Sequence, residues 1–224
     1  MIRVKTLIAI AAVALTAASV SVAQQQVNLK TMASKMRINQ EELRQYSWEM
    51  KMTFLIDDVQ RRSDTFTVRY VMDGMVEKMQ ITSEVAKGEV RGPDGKKMKK
   101  KEQEAAREFV IEVKNQLDGY LNPLFAEKAI ATAKVLEGGG EVLLLSQNVM
   151  TTGDSVEITL SESTHKPISA TIKTAIDGSP VSLDVEFGSI EYGPNYPSKS
   201  VTISSWQGMK LTILTENSNY EYGR

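Results

Sequence analysis

Between Tyr46 and Ile56 the chain alternates without a break: Tyr46, Trp48, Met50, Met52, Phe54 and Ile56 stand between Ser47, Glu49, Lys51, Thr53, Leu55 and Asp57. Successive side chains of an extended strand point to opposite faces, so this run is a strand with one apolar face. The same period returns at 64–72, where Phe66, Val68, Tyr70 and Met72 share a face, and Asp73-Gly74 marks a tight turn. Met75, Glu77, Met79 and Ile81 carry the chain back. A long antiparallel meander is the expected result.

Helical spacing precedes this meander. Leu29, Met32, Ala33 and Met36 define an apolar stripe within 27–45, with Asn28 as a cap and Asn39 as a second helix start. After the meander, Gly88, Gly92-Pro93 and Gly95 interrupt regular structure among Arg91, Lys96, Lys97, Lys99, Lys100 and Lys101. Ala106, Phe109 or Val110, Val113, Leu117 and Leu121 restore the helical period from Glu102. Asn122-Pro123 then predicts a further helix reaching about Glu137 and ended by Gly138-Gly139-Gly140.

The remainder reads as strands joined by short turns, with Asp177-Gly178 and Gln207-Gly208 among them. Eight to ten strands and two or three helices give an α+β fold. A single strongly curved antiparallel sheet has the helices covering its concave face.

The first residues have the three zones of a secretory signal peptide: basic Arg3 and Lys5, apolar Leu7–Val20, and small residues ending Ser21-Val22-Ala23. Leu7–Val20 is shorter than the roughly 20 apolar residues of a membrane span. The reading is therefore a cleavable signal at 1–23 and a single domain at 24–224, with no transmembrane segment after cleavage. The destination is the periplasm, with full secretion as the alternative. There is no cysteine, which removes both a lipid-modified cysteine at the cleavage site and disulfide staples. Without Arg3 and Lys5 the 27 basic residues become 25 against 28 acidic, a net charge of −3 that predicts no general affinity for nucleic acid.

Catalytic motifs are sparse. His165 is the single histidine and lies in the polar run Ser161–Pro167, where a surface-turn role suffices. One imidazole and no thiol cannot assemble the usual zinc or copper sites, and no phosphate-cradling or dinucleotide loop is present. No cofactor is implied. Asp57-Asp58, Glu49 and Glu77 are the remaining catalytic candidates, read as solvated charges at a hairpin tip and on strands; the expectation is a protein that is not an enzyme.

Five of the eleven methionines (Met50, Met52, Met72, Met75 and Met79) fall in the early strands beside Trp48, Phe54, Phe66 and Tyr70. Methionine adapts to apolar shapes of variable outline. Trp48, Met50, Met52, Phe54, Phe66, Val68, Tyr70 and Met72 are thus the candidate lipid-binding lining, with helix 103–121 as lid; an ordinary sheet core under the helices is the alternative. Arg91–Lys101 offers a place for an anionic headgroup, or else forms a solvated flexible loop.

Three segments carry a resemblance to a known family. Tyr46-Ser47-Trp48 opens a strand after the first helix, and Lys166-Pro167-Ile168 enters a strand after a polar turn. The third runs from Tyr192-Gly193-Pro194-Asn195-Tyr196-Pro197 through Leu211-Thr212-Ile213. In order of elements over most of 28–220 the chain resembles the outer-membrane lipoprotein-sorting family, the LolA/LolB-like periplasmic lipoprotein carriers. That resemblance implies an unclosed barrel lidded by helices, and a lipid or acylated protein as partner. The basic insertion and the segment 102–137 depart from the compact family pattern, and no arginine here takes over the family's functional arginine. A cell-envelope structural or protein-interaction module with a filled core is the competing reading.

Overall fold

A computed structural model of the chain describes residues 29–71, 76–86, 88–120 and 128–223. The expected signal peptide, Met72, the Asp73-Gly74 turn and Asn122-Pro123 lie outside the described residues.

Helix α1 (29–43) leads into β1 (Tyr46–Ile56), β2 (Val59–Tyr70) and β3 (Val76–Val85). Helix α2 (Lys100–Tyr120) and a helical turn α3 (128–131) follow. The chain then runs through β4 (Lys134–Gly138), β5 (Glu141–Gln147), β6 (Ser155–Ser161), β7 (Pro167–Ile176), β8 (Ser179–Ser189), β9 (Asn195–Trp206) and β10 (Met209–Tyr222). All ten strands form one antiparallel sheet in the order β3-β2-β1-β10-β9-β8-β7-β6-β5-β4. The early meander ends at one edge, α2 and α3 carry the chain to the other, and the late meander returns until β10 pairs with β1. The sheet is thus an unclosed half-barrel with helices on its inner face, as the alternation and the element order predict.

Turn chemistry sets the hairpins. Asp57-Asp58 (φ 45° and 62°), Gly139-Gly140 (67° and 84°), Asp177-Gly178 (49° and 76°) and Gln207-Gly208 (49° and 80°) each hold two successive left-handed residues. This is the two-residue connection whose twist matches paired strands. Asp57 Oδ1 also accepts the Lys210 N–H at 2.9 Å, which fastens the β1–β2 turn to the start of β10.

The largest core lies over β5–β8. Leu160, Ile172, Leu183 and Val185 pack beneath Met32 and Met36 of α1, Val113, Leu117 and Tyr120 of α2, and Ile130 of α3. Burial of one such side chain stabilises by about 1.5–3 kcal/mol. The first half of α2 covers a second cluster, where Ala106 and Val110 meet Ile56, Met209, Leu211 and Ile213. Asp154 ties the β5–β6 turn to the end of α2: its carboxylate accepts the N–H groups of Val149, Met150 and Thr151 at 2.6–2.9 Å and the Tyr120 hydroxyl at 2.8 Å.

Three expectations are corrected. The helix predicted to reach Glu137 gives way to β4, because pairing of Lys134–Gly138 with Glu141–Leu145 overrides local propensity, and Gly139-Gly140 is a hairpin tip. Asn39 does not start a second helix; α1 runs unbroken to 43. Asn39 is instead only 4% exposed, donating from Nδ2 to the Asn195 carbonyl at 2.8 Å while its Oδ1 accepts the Asn195 N–H at 2.7 Å. Residues 90–98 are no flexible loop but a small hairpin: Met98 N–H donates to Val90 O, Arg91 bridges Lys97, and Val90 and Met98 are buried against the second cluster. Two apolar anchors outweigh the polar surroundings.

Candidate ligand-binding face

Pairing of β1 with β2 decides which side chains share the inner face. Trp48 opposes Val68, Met50 opposes Phe66, Met52 opposes Asp64 and Phe54 opposes Arg62. Because side chains alternate strictly, Tyr70 and Ile56 extend that face at its two ends.

At one end Trp48, Met50 and Val68 are buried together, with Phe66, Tyr70 and Tyr220 packed against them. A register shift between β1 and β10, with Asn219 at φ 53°, brings Tyr220 onto the Trp48 ring. The two rings stack at 5.5 Å with an 8° interplanar angle, and Tyr70 leans on Trp48 at 5.4 Å. Trp48 Nε1–H donates to Asn217 Oδ1 at 3.1 Å. Tyr196 completes the group 4.0 Å from Tyr220, and it reaches there across Gly188, where a Cβ would lie 3.0 Å from the Tyr196 ring. Burial raises the Tyr70 and Tyr220 hydroxyls above the ordinary tyrosine range, for Tyr220 with added repulsion from Tyr70 and Tyr196. Both are therefore neutral at physiological pH.

The eight residues expected to line one surface do not form one cluster. Trp48, Met50, Phe66, Val68 and Tyr70 come together. Met52 and Phe54 pack instead with Ile56, Met209, Leu211 and Ile213 under the start of α2. Met72 is outside the described residues. The lid also sits differently from its expected place: α2 covers the second cluster and the β5–β8 core, and among the described residues it contributes no apolar side chain to the Trp48 cluster. On the far side of β2, every residue of β3 is exposed, including Val76, Met79, Ile81 and Val85.

Between the two clusters stands a charged pair, Arg62 and Asp64. Asp64 is 6% exposed and its Oδ2 accepts Arg62 Nε–H at 2.6 Å. Asp64 Oδ1 is shielded from solvent and has no hydrogen-bond partner among the described residues. Leaving a buried acceptor unsatisfied costs about 1–3 kcal/mol, more when it is charged. The missed signal is parity: Arg62 and Asp64 are even-numbered, in phase with Phe66, Val68 and Tyr70, so the apolar face of β2 continues into a charged pair.

The other sequence candidates are engaged elsewhere. Asp58 pairs with Lys210 at 2.8 Å, Glu77 with Arg69 at 2.6 Å, and Glu49 accepts from Asn219 at 2.8 Å. His165 occupies the β6–β7 turn at φ 55°. Among the described residues no three histidine, aspartate or glutamate side chains converge as a metal-binding group. In the basic hairpin, Glu89 pairs with Arg91 and Lys97, and Asp94 with Lys96. Lys99 caps α2, its N–H donating to Glu102 Oε2 at 2.7 Å, while Lys100 and Lys101 are exposed on the first turn. No helix among the described residues is long and apolar enough to cross a membrane.

No protein-family model and no curated protein matches the chain. Among solved structures it is similar to a LolA superfamily protein from Nitrosomonas europaea. The identity is 10%, the match covers 87% of this chain and 93% of that one, and the TM-score is 0.39. It is also similar to MucB in complex with MucA(peri), at 10% identity, with 86% of this chain and 94% of that one covered and a TM-score of 0.21.

Proposed function

We propose that the chain is an exported, non-enzymatic carrier that works in the periplasm and binds an acyl chain, a lipid or the anchor of an acylated protein on the inner face of β1 and β2. One observation carries this reading. The Trp48–Met50–Val68 cluster is an aromatic and methionine-bearing patch on the inner face to which, among the described residues, no helix supplies an apolar side chain, and it adjoins a wholly exposed β3. An acyl chain laid there gains by removal of its methylenes from water, about 0.8 kcal/mol each. Lys99, Lys100 and Lys101 supply a cationic surface for an anionic headgroup, since Arg91, Lys96 and Lys97 already face Glu89 or Asp94.

The mature chain, purified from a bacterial periplasm and extracted with solvent, should release a stoichiometric lipid detectable by mass spectrometry. Absence of lipid together with no response of an environment-sensitive fatty-acid probe removes the reading. A second reading, a protein-interaction module of the cell envelope, is favoured by β3, whose exposed edge suits addition of a partner strand. It predicts partner capture that survives substitution of Trp48 and is lost when Met79 and Ile81 become lysine.

A further inference from the structure

The Arg62–Asp64 pair has a geometry that solvated charges do not need. It lies in mid-strand on the inner face, opposite Met52 on β1, and on β3 Ser83 opposes Asp64. Of the two carboxylate oxygens, Oδ2 is held by Arg62 Nε–H and Oδ1 is buried without a donor. Its neighbours along the face on β1 and β2, Met50, Met52 and Phe66, offer no hydrogen-bond donor from their side chains, and neither the Ser83 hydroxyl nor the remaining Arg62 N–H groups bond to Oδ1. Met52 is half-buried and flexible enough to move aside for a ligand.

The geometry points to Asp64 Oδ1 as the reader of a polar end: the inner face takes acyl ligands whose head donates a hydrogen bond, an amide N–H or a hydroxyl, in preference to acceptor-only heads. This rests on the acyl-binding reading above and names the ligand class for the same face. An ester or a carboxylate head brings only acceptors to an oxygen that needs a donor. A donating head satisfies Oδ1 at the moment its chain covers the patch.

The test is displacement of a neutral hydrophobic fluorescent dye from the full mature chain by two matched pairs. Lauramide is compared with N,N-dimethyllauramide, and dodecanol with dodecyl methyl ether, so that amide and hydroxyl donors are read separately. A hydrogen bond to a charged acceptor predicts roughly tenfold or greater preference for the donating member of at least one pair. In Asp64→Asn, which turns that oxygen's position toward an amide while Arg62 keeps its acceptor, the preference should fall to about one or invert. Equal competition within both pairs for the wild-type protein overturns the inference and leaves acyl binding intact. A preference that persists in folded Asp64→Asn also overturns it. Failure of all four compounds to displace the dye, with no lipid co-purified, removes the acyl-binding reading and this inference together. The wild-type comparison decides even if Asp64→Asn does not fold.

Discussion

Replacing Asp154 by asparagine should be among the most damaging single-atom changes available to this chain. The residue is 2% exposed, and its four acceptor contacts divide unequally: Oδ1 takes the Val149 N–H, while Oδ2 takes the Met150 and Thr151 N–H groups and the Tyr120 hydroxyl. Asparagine keeps one acceptor. In its better orientation it preserves the three contacts at the Oδ2 position without their charge, and it points an NH2 at the Val149 N–H. One charge-assisted hydrogen bond is lost, a buried donor is left unpaired, and three bonds are weakened, a sum of about 3–5 kcal/mol. For a chain of this size each kcal/mol moves the melting temperature by about 2–4 °C, so a fall of about 6–20 °C is expected by circular dichroism. The pH dependence has a definite sign. Burial pushes the Asp154 pKa up, but the hydrogen bonds from Thr151, Met150, Val149 and Tyr120 outweigh it and hold the carboxyl below its ordinary value. A depressed folded-state pKa stabilises above the unfolded value, and that contribution is lost as pH falls through the folded one. The wild-type advantage over Asp154→Asn should therefore be constant at neutral pH and shrink below about pH 4. A melting temperature within about 2 °C of wild type, or a gap that is unchanged in acid, refutes the argument.

Leu160→Ala, at a side chain with no exposure in the β5–β8 core, should cost about 3–4 kcal/mol in urea unfolding with an unchanged denaturant slope. Asn39→Ala strands both the N–H and the C=O of Asn195; about 2–3 kcal/mol should be lost, with faster amide exchange confined to α1 and the start of β9.

Much of this architecture is local information. The alternation of β1, the matching phases of β2 and β8, and the Asp-Gly and Gln-Gly turns each encode a hairpin within a dozen residues, and they yield the curved antiparallel sheet with its inner helices. What escaped is set by distant partners. The β1–β10 pairing joins Ile56 to Leu211, and nothing in either segment names the other. β4 is five residues long and is a strand only because β5 lies beside it. Val90 and Met98 sit among glycines and lysines, so their burial depends on Ile56, Met209 and the start of α2. Asn39 has the composition of a helix cap but serves a carbonyl and an amide on β9. The site divided the same way. Alternation brings Trp48, Met50, Phe66, Val68 and Tyr70 together on one face, whereas α2's position over Met52 and Phe54 rather than over Trp48 is a property of the whole sheet. Arg62 and Asp64 carry charge, which in sequence favours the solvent side, yet their phase with Phe66 and Val68 puts them on the inner face.

Trp48 itself offers the most direct measurement, because only one other tryptophan, Trp206, competes with it. In Trp206→Phe, titration with a long-chain fatty alcohol brominated along its chain should quench Trp48 fluorescence saturably, with unbrominated alcohol competing the effect away. In Trp48→Phe, where Trp206 alone reports, the quenching should be much weaker. Unquenched Trp48 across the titration, or equal quenching in the two variants, contradicts an acyl chain on the inner face of β1 and β2.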